Sequence, residues 1–132
     1  DDRDGGRMSG AALPALVFVG LAGLSAAFQT ALAAGAPWGR WTGGGQHPGV
    51  LPAPQRAGAA VQSTLYLAMA VVMAAQGDLL DWTPPGWAIW ATLAVTALAA
   101  LGAVVTRSPA ERRLWAPITL AMLGAGLVLV LG

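Results

Sequence analysis

Four uncharged apolar runs, residues 11–35, 57–76, 86–106 and 114–132, set what this chain can fold into. Each approaches the ~20 residues that carry an α-helix across a ~30 Å hydrocarbon layer at about 1.5 Å per residue. The expectation is an all-α integral membrane protein, a four-helix transmembrane bundle forming one domain. Its helices fall at about 11–35, 57–76, 86–106 and 109–131, after a flexible N-terminal segment, 1–10. A signal peptide does not explain the first run, although Arg3 and Arg7 precede it. Its apolar stretch exceeds the ~7–15 residues of a signal core, and three more such runs follow.

Composition agrees and excludes whole classes of function. Only 10% of the residues are charged, against about 25% in soluble chains. A net charge of +1 gives no electrostatic footprint for nucleic acid. Without cysteine there is no disulfide, thiolate nucleophile or sulfur-ligated metal. One histidine, His47, leaves zinc too few ligands, so no metal and no cofactor is expected. All seven basic residues are arginine. Together with abundant Ala, Gly and Val, that suggests a GC-rich bacterial gene and hence the bacterial cytoplasmic membrane.

Local signals place the helix ends. Pro14 suits the first turn of helix 1, and Gly35-Ala36-Pro37 reads as its stop. Gly77 closes helix 2, and Asp81 or Thr83 is available to cap helix 3 ahead of Pro84-Pro85. Ser108-Pro109-Ala110-Glu111 reads as a capping box opening helix 4, with Pro117 tolerated inside the span. Between helices 1 and 2 lie about twenty residues, APWGRWTGGGQHPGVLPAPQR, where 2–8 is typical of a compact bundle. This long ordered loop shares its side of the membrane with the third connection. Together they carry Arg40, Arg56, Arg107, Arg112 and Arg113, against Arg3 and Arg7 opposite, so the positive-inside rule puts both termini outside the cytoplasm.

Within the spans, small residues recur every fourth position: Ala22/Ala26/Thr30, Gly23/Ala27/Ala31, Ala60/Thr64/Ala68, Thr92/Thr96/Ala100 and Ala121/Ala125. Such stripes allow close helix packing in lipid. Gln29 and Gln62 fall at similar depth near the loop end, either as an interhelical hydrogen bond or as a polar pocket for a ligand's head group. No span carries a buried charge, which argues against an ion-coupled pump. The six tryptophans sit near the inferred boundaries as an aromatic belt, with Trp41 beside Arg40 set apart.

The candidate ligand- or partner-binding residues are therefore Gln29, Trp38, Arg40, Trp41, His47, Arg56 and Gln62. Glycine N–H groups and guanidinium groups suit a phosphate or carboxylate. The loop is no Walker A, lacking the Lys-Ser/Thr ending. Arg112 and Arg113 are expected to meet lipid phosphates. No catalytic residue is assigned; an enzyme acting on a lipid head group would need His47 and Glu111 together beside Arg40 or Arg56.

The order Phe28-Gln29, Gly35-Ala36-Pro37-Trp38-Gly39, Gly44-Gly45, Gly49, Leu51-Pro52 and Arg56 resembles uncharacterised small four-helix membrane proteins of GC-rich bacteria. The likeness extends to Glu111-Arg112 and Leu114-Trp115-Ala116-Pro117. It implies four spans and no particular reaction. A weaker comparison, with the small multidrug transporters, fails at their intramembrane glutamate, where this chain offers only Gln29. The residues point to a small non-catalytic membrane protein, an accessory or binding subunit of an assembly or a homo-oligomer, whose partners are lipids or another membrane chain. The alternative from the transport class is a small oligomeric channel or facilitator.

Overall fold

The computed structural model describes residues 10–132. Four helices build it: α1 (Ala12–Ala33), α2 (Ala53–Gln76), α3 (Gly86–Val105) and α4 (Pro109–Leu131). All four are long and apolar enough to cross a membrane, with mean hydropathy from 1.6 to 2.2. Among the described residues there is no strand. The segment expected to be flexible, with Arg3 and Arg7, lies outside the described residues except for Gly10.

The helix ends follow backbone chemistry more than side-chain caps. Helix α1 closes with paired bonds, Ala36 N–H to the Ala31 carbonyl at 2.9 Å and Gly35 N–H to Leu32 at 3.1 Å. Gly35 supplies the left-handed residue such a cap requires, at φ 106°. Helix α2 repeats the pattern, Leu79 to Ala74 at 2.8 Å and Asp78 to Ala75 at 3.0 Å. There the left-handed residue is Asp78, φ 62°, and not the glycine before it. Gly77 is needed for space, because a Cβ would stand 2.2 Å from that of Ala15 on α1.

One expected start and one expected cap need correction. Helix α2 begins at Ala53, four residues before position 57, with Pro52 at its N-cap and Pro54 in its first turn. A first-turn proline loses no helical hydrogen bond, so a stretch that reads as loop is already helix. Helix α3 starts behind Pro85 with no side-chain cap, so Asp81 and Thr83 do not serve as caps.

Helix α1 packs most extensively on α2 and then on α4, and α3 packs on α4, whereas α2 and α3 touch sparingly. The order around the bundle is therefore α2, α1, α4, α3, with a seam left between α2 and α3. Phe18, Met69, Met73, Leu93 and Met122 fill the centre. Of the small-residue stripes, Thr92/Thr96/Ala100 is buried, as are Ala22 and Ala26. Gly23, Ala27, Ala60, Thr64, Ala68 and Ala121 instead face outward. In an alanine-rich helix this spacing occurs on every face; the bulkier Met69, Met73, Met122 and Leu129 select which face turns inward.

Most hydroxyls in the spans are satisfied on their own helix: Ser25 donates to the Leu21 carbonyl, Thr92 to Ala88, Thr96 to Thr92 and Thr119 to Trp115. Ser63 crosses helices, donating to the Ala26 carbonyl at 3.0 Å and meeting the Thr30 hydroxyl at 2.7 Å.

Candidate functional site

The long first loop is a folded cap containing two 3-10 turns, Gly39–Trp41 and Gly43–Gly45. Gly39 anchors its interior, donating its N–H to the Gly49 carbonyl at 3.0 Å. A Cβ at Gly39 would lie 1.8 Å from the His47 carbonyl oxygen, so only glycine fits there. Leu51 is buried with Leu32 and Ala59, pinning the far end of the loop to α1 and α2. Phe28 of α1 joins the two remaining pieces. Its ring stacks with Trp38 at 5.9 Å and meets Trp115 edge-on at 4.9 Å.

Three hydrogen bonds strap this loop to the start of α4. The Ser108 hydroxyl donates to the Arg40 carbonyl at 3.0 Å, Gly44 N–H donates to Glu111 Oε1 at 3.0 Å, and Trp115 Nε1 donates to the Trp41 carbonyl at 2.7 Å. Ser108 caps α4 by accepting from Glu111 N–H at 3.2 Å. The return half of the expected capping box is absent, because the Glu111 carboxylate is turned to Gly44 and to the hydroxyl of Thr106. The first and third connections thus meet at one end of the bundle.

Beneath the loop lies a cavity of about 450 Å³, within the ~300–1,000 Å³ usual for small-ligand sites. Its lining includes Gln29, Thr42, Gln46, Gln62, Tyr66, Arg107 and Glu111. A second cavity, about 350 Å³, shares Gln29, Thr42, Gln46 and Gln62 and adds His47 and Gln55. The side chains of Gln29, Gln62 and Tyr66 have no hydrogen-bond partner among the described residues. Gln29 and Tyr66 are half-buried and Gln62 is exposed, all three on apolar helices. Three such groups around one cavity present donors and acceptors to whatever fills it. Arg107 and Glu111 add one charge of each sign.

The expected site residues divide accordingly. Gln29, Gln62 and His47 line the cavities. Trp38 and Trp41 fix the loop, one by its ring and the other by its carbonyl. Arg40 lies in neither lining; its exposed guanidinium sits 4.2 Å from the centre of the neighbouring Trp41 ring. Arg56 Nε donates to the Ala33 carbonyl at 3.1 Å, satisfying the C-terminal end of α1. Arg40 and Arg56 therefore do not converge as an anion clamp. Arg112 donates to the Thr106 carbonyl at 2.8 Å, and Arg113 is exposed.

Arg107 and Tyr66 escape sequence reading as site residues, and Glu111 reads only as a cap and as a partner for His47. Tyr66 has a signal in its i, i+4 relation to Gln62. His47 and Glu111 line adjoining cavities, and no hydrogen bond or ion pair joins them. Among the described residues, no three His, Asp or Glu side chains come together as a metal site. Comparison with protein-family models, curated proteins and solved structures finds no match to the chain.

Proposed function

We propose that this chain is a small non-catalytic binding protein of the bacterial cytoplasmic membrane. It holds the polar head of a membrane ligand beneath its first loop, as a subunit of an assembly or as a homo-oligomer. The observation that carries this reading is the convergence of Gln29, Gln62 and Tyr66, each without a protein hydrogen-bond partner, on a cavity roofed by a strapped loop. Unpaired polar groups within an apolar span favour a bound polar partner over contact with hydrocarbon. That His47 and Glu111 are not joined by a hydrogen bond or ion pair supports binding over catalysis. Arginine on the loop side supports a cytoplasmic loop with both termini outside.

The test is retention. The full chain, purified from native membranes in a mild detergent, carries a bound amphiphile detectable by mass spectrometry, and chemical cross-linking in the membrane captures a second copy or another chain. The double variant Gln29→Leu/Gln62→Leu loses about nine-tenths of the bound amphiphile while keeping its helicity. Unchanged retention in that variant, or a solitary chain that carries no ligand, would refute the reading.

A further inference from the structure

The cavity beneath the loop does not stand alone. Farther from the loop, a third opening of about 200 Å³ separates α2 from α3. Leu65, Met69 and Val72 line it from α2, and Trp87, Ala91 and Val95 from α3. Its only polar side chain, Thr92, is already bonded to the Ala88 carbonyl at 2.8 Å. The polar cavity is lined by Ala99, Gly102, Ala103 and Val105 of α3, the next turns toward the loop. On α2 it is lined by Gln62, one turn nearer the loop, and by Tyr66 beside the slot. The seam between α2 and α3 therefore carries, in succession, a cavity with hydrogen-bonding groups and two opposite charges and a purely apolar slot. At about 1.5 Å per residue, the apolar part extends roughly 10 Å along α2 and 12 Å along α3.

This division selects an amphiphile over a second protein helix. A helix seated in the seam would set apolar surface against Arg107, Glu111 and the amides at one end. An acyl chain satisfies the slot while a head group satisfies the cavity. The pair of charges selects the head. Arg107 is available to a phosphate, and Glu111, which uses Oε1 for Gly44 and Thr106, keeps Oε2 for an ammonium. A purely anionic head would meet Arg107 but be repelled by Glu111.

We infer that the seam between α2 and α3 holds one acyl chain of a zwitterionic phospholipid, whose phosphate-and-amine head lies beneath the first loop. This rests on the binding reading above and adds the ligand's class and the path of its chain.

The full chain is reconstituted into vesicles of equal parts phosphatidylethanolamine and phosphatidylglycerol with matched acyl chains. It is then exchanged into lipid-free detergent, and the retained lipid is weighed by species. Phosphatidylethanolamine is retained about tenfold over phosphatidylglycerol, and glycerophosphoethanolamine, the same head without chains, binds at least about tenfold more weakly than the lipid. Ala91→Phe, which fills the slot from an exposed position, cuts lipid retention by a similar factor. A photoreactive acyl chain on retained phosphatidylethanolamine cross-links the unaltered protein within 65–72 and 87–95, a readout independent of how any variant folds. Cross-links scattered over all four helices, or head and lipid binding equally, overturn the seam while leaving a head-group site in place. Failure of both probes to bind overturns that reading as well. Preferential retention of phosphatidylglycerol overturns the zwitterionic head. A dimer that Ala91→Phe converts to monomer makes the seam a contact between copies and overturns the inference.

Discussion

The indole Nε1 of Trp115 donates to the main-chain carbonyl of Trp41 at 2.7 Å, joining α4 to a loop 74 residues earlier in the chain. Trp115 is buried, and its ring also meets Phe28 edge-on, so one side chain sets both the height of the loop and its contact with α1.

Trp115→Phe keeps an aromatic ring against Phe28 and removes the donor together with part of the buried indole. The Trp41 carbonyl then loses its partner, at a cost of about 1 kcal/mol. The expected result is unchanged helicity with faster tryptic cleavage after Arg40, because the loop opens more often while the bundle persists. Equal cleavage rates in the two proteins would show that this bond does not hold the loop down.

Glu111 makes the second strap, accepting from Gly44 N–H and from the Thr106 hydroxyl through one oxygen. Glu111→Gln preserves an amide oxygen for those donors, whereas Glu111→Ala leaves both unpaired. Cleavage after Arg40 is expected to rise most in the alanine variant and only modestly in the glutamine variant. The difference between them corresponds to about 1–2 kcal/mol of loop closure. The reverse order would mean that charge, and not the accepting oxygen, secures the loop.

Much of the bundle was legible in the sequence, and the reason is physical. A span needs length and freedom from charge, and both are visible in runs such as 86–106. The capping Ser108 was also legible, because its partner Glu111 is three residues away. What sequence could not show was which helix face turns inward, since alanine is nearly uniform around each span. The straps of the site were equally hidden, as Gly44–Glu111 and Arg40–Ser108 join positions 67 and 68 residues apart. Gln29 and Gln62 could be placed at one depth from helix direction alone. The role of Arg56 could not, because its partner is a main-chain carbonyl that any sequence would supply.

Arg56 separates a capping role from a ligand role. Its Nε bond to the Ala33 carbonyl completes the end of α1, where a positive charge also suits the helix dipole. Arg56→Met is expected to destabilise the bundle by about 1 kcal/mol in a denaturant titration, with ligand retention per folded molecule unchanged. A fall in retention matching that of the Gln29→Leu/Gln62→Leu variant would return Arg56 to the binding site.

Orientation yields the remaining prediction. The contacts of Gly44 with Glu111 and of Arg40 with Ser108 place the first and third connections at one end of the bundle. Asp81 lies in the connection between α2 and α3, at the opposite end. Because the chain has no cysteine, single substitutions report without background. Val50 is 54% exposed, and Arg107 and Asp81 are exposed as well, so all three accept a thiol without disturbing the core. Excluding Arg56, which is committed to α1, the loop end still holds Arg40, Arg107, Arg112 and Arg113. The positive-inside rule counts such residues close to the spans. In intact cells, a membrane-impermeant thiol reagent is therefore expected to label Asp81→Cys and to spare Val50→Cys and Arg107→Cys until the membrane is opened. Labelling of all three from outside would remove the four-span arrangement. Labelling of Val50→Cys and Arg107→Cys alone would keep the spans and invert them, placing the cavity beneath the loop in the outer leaflet.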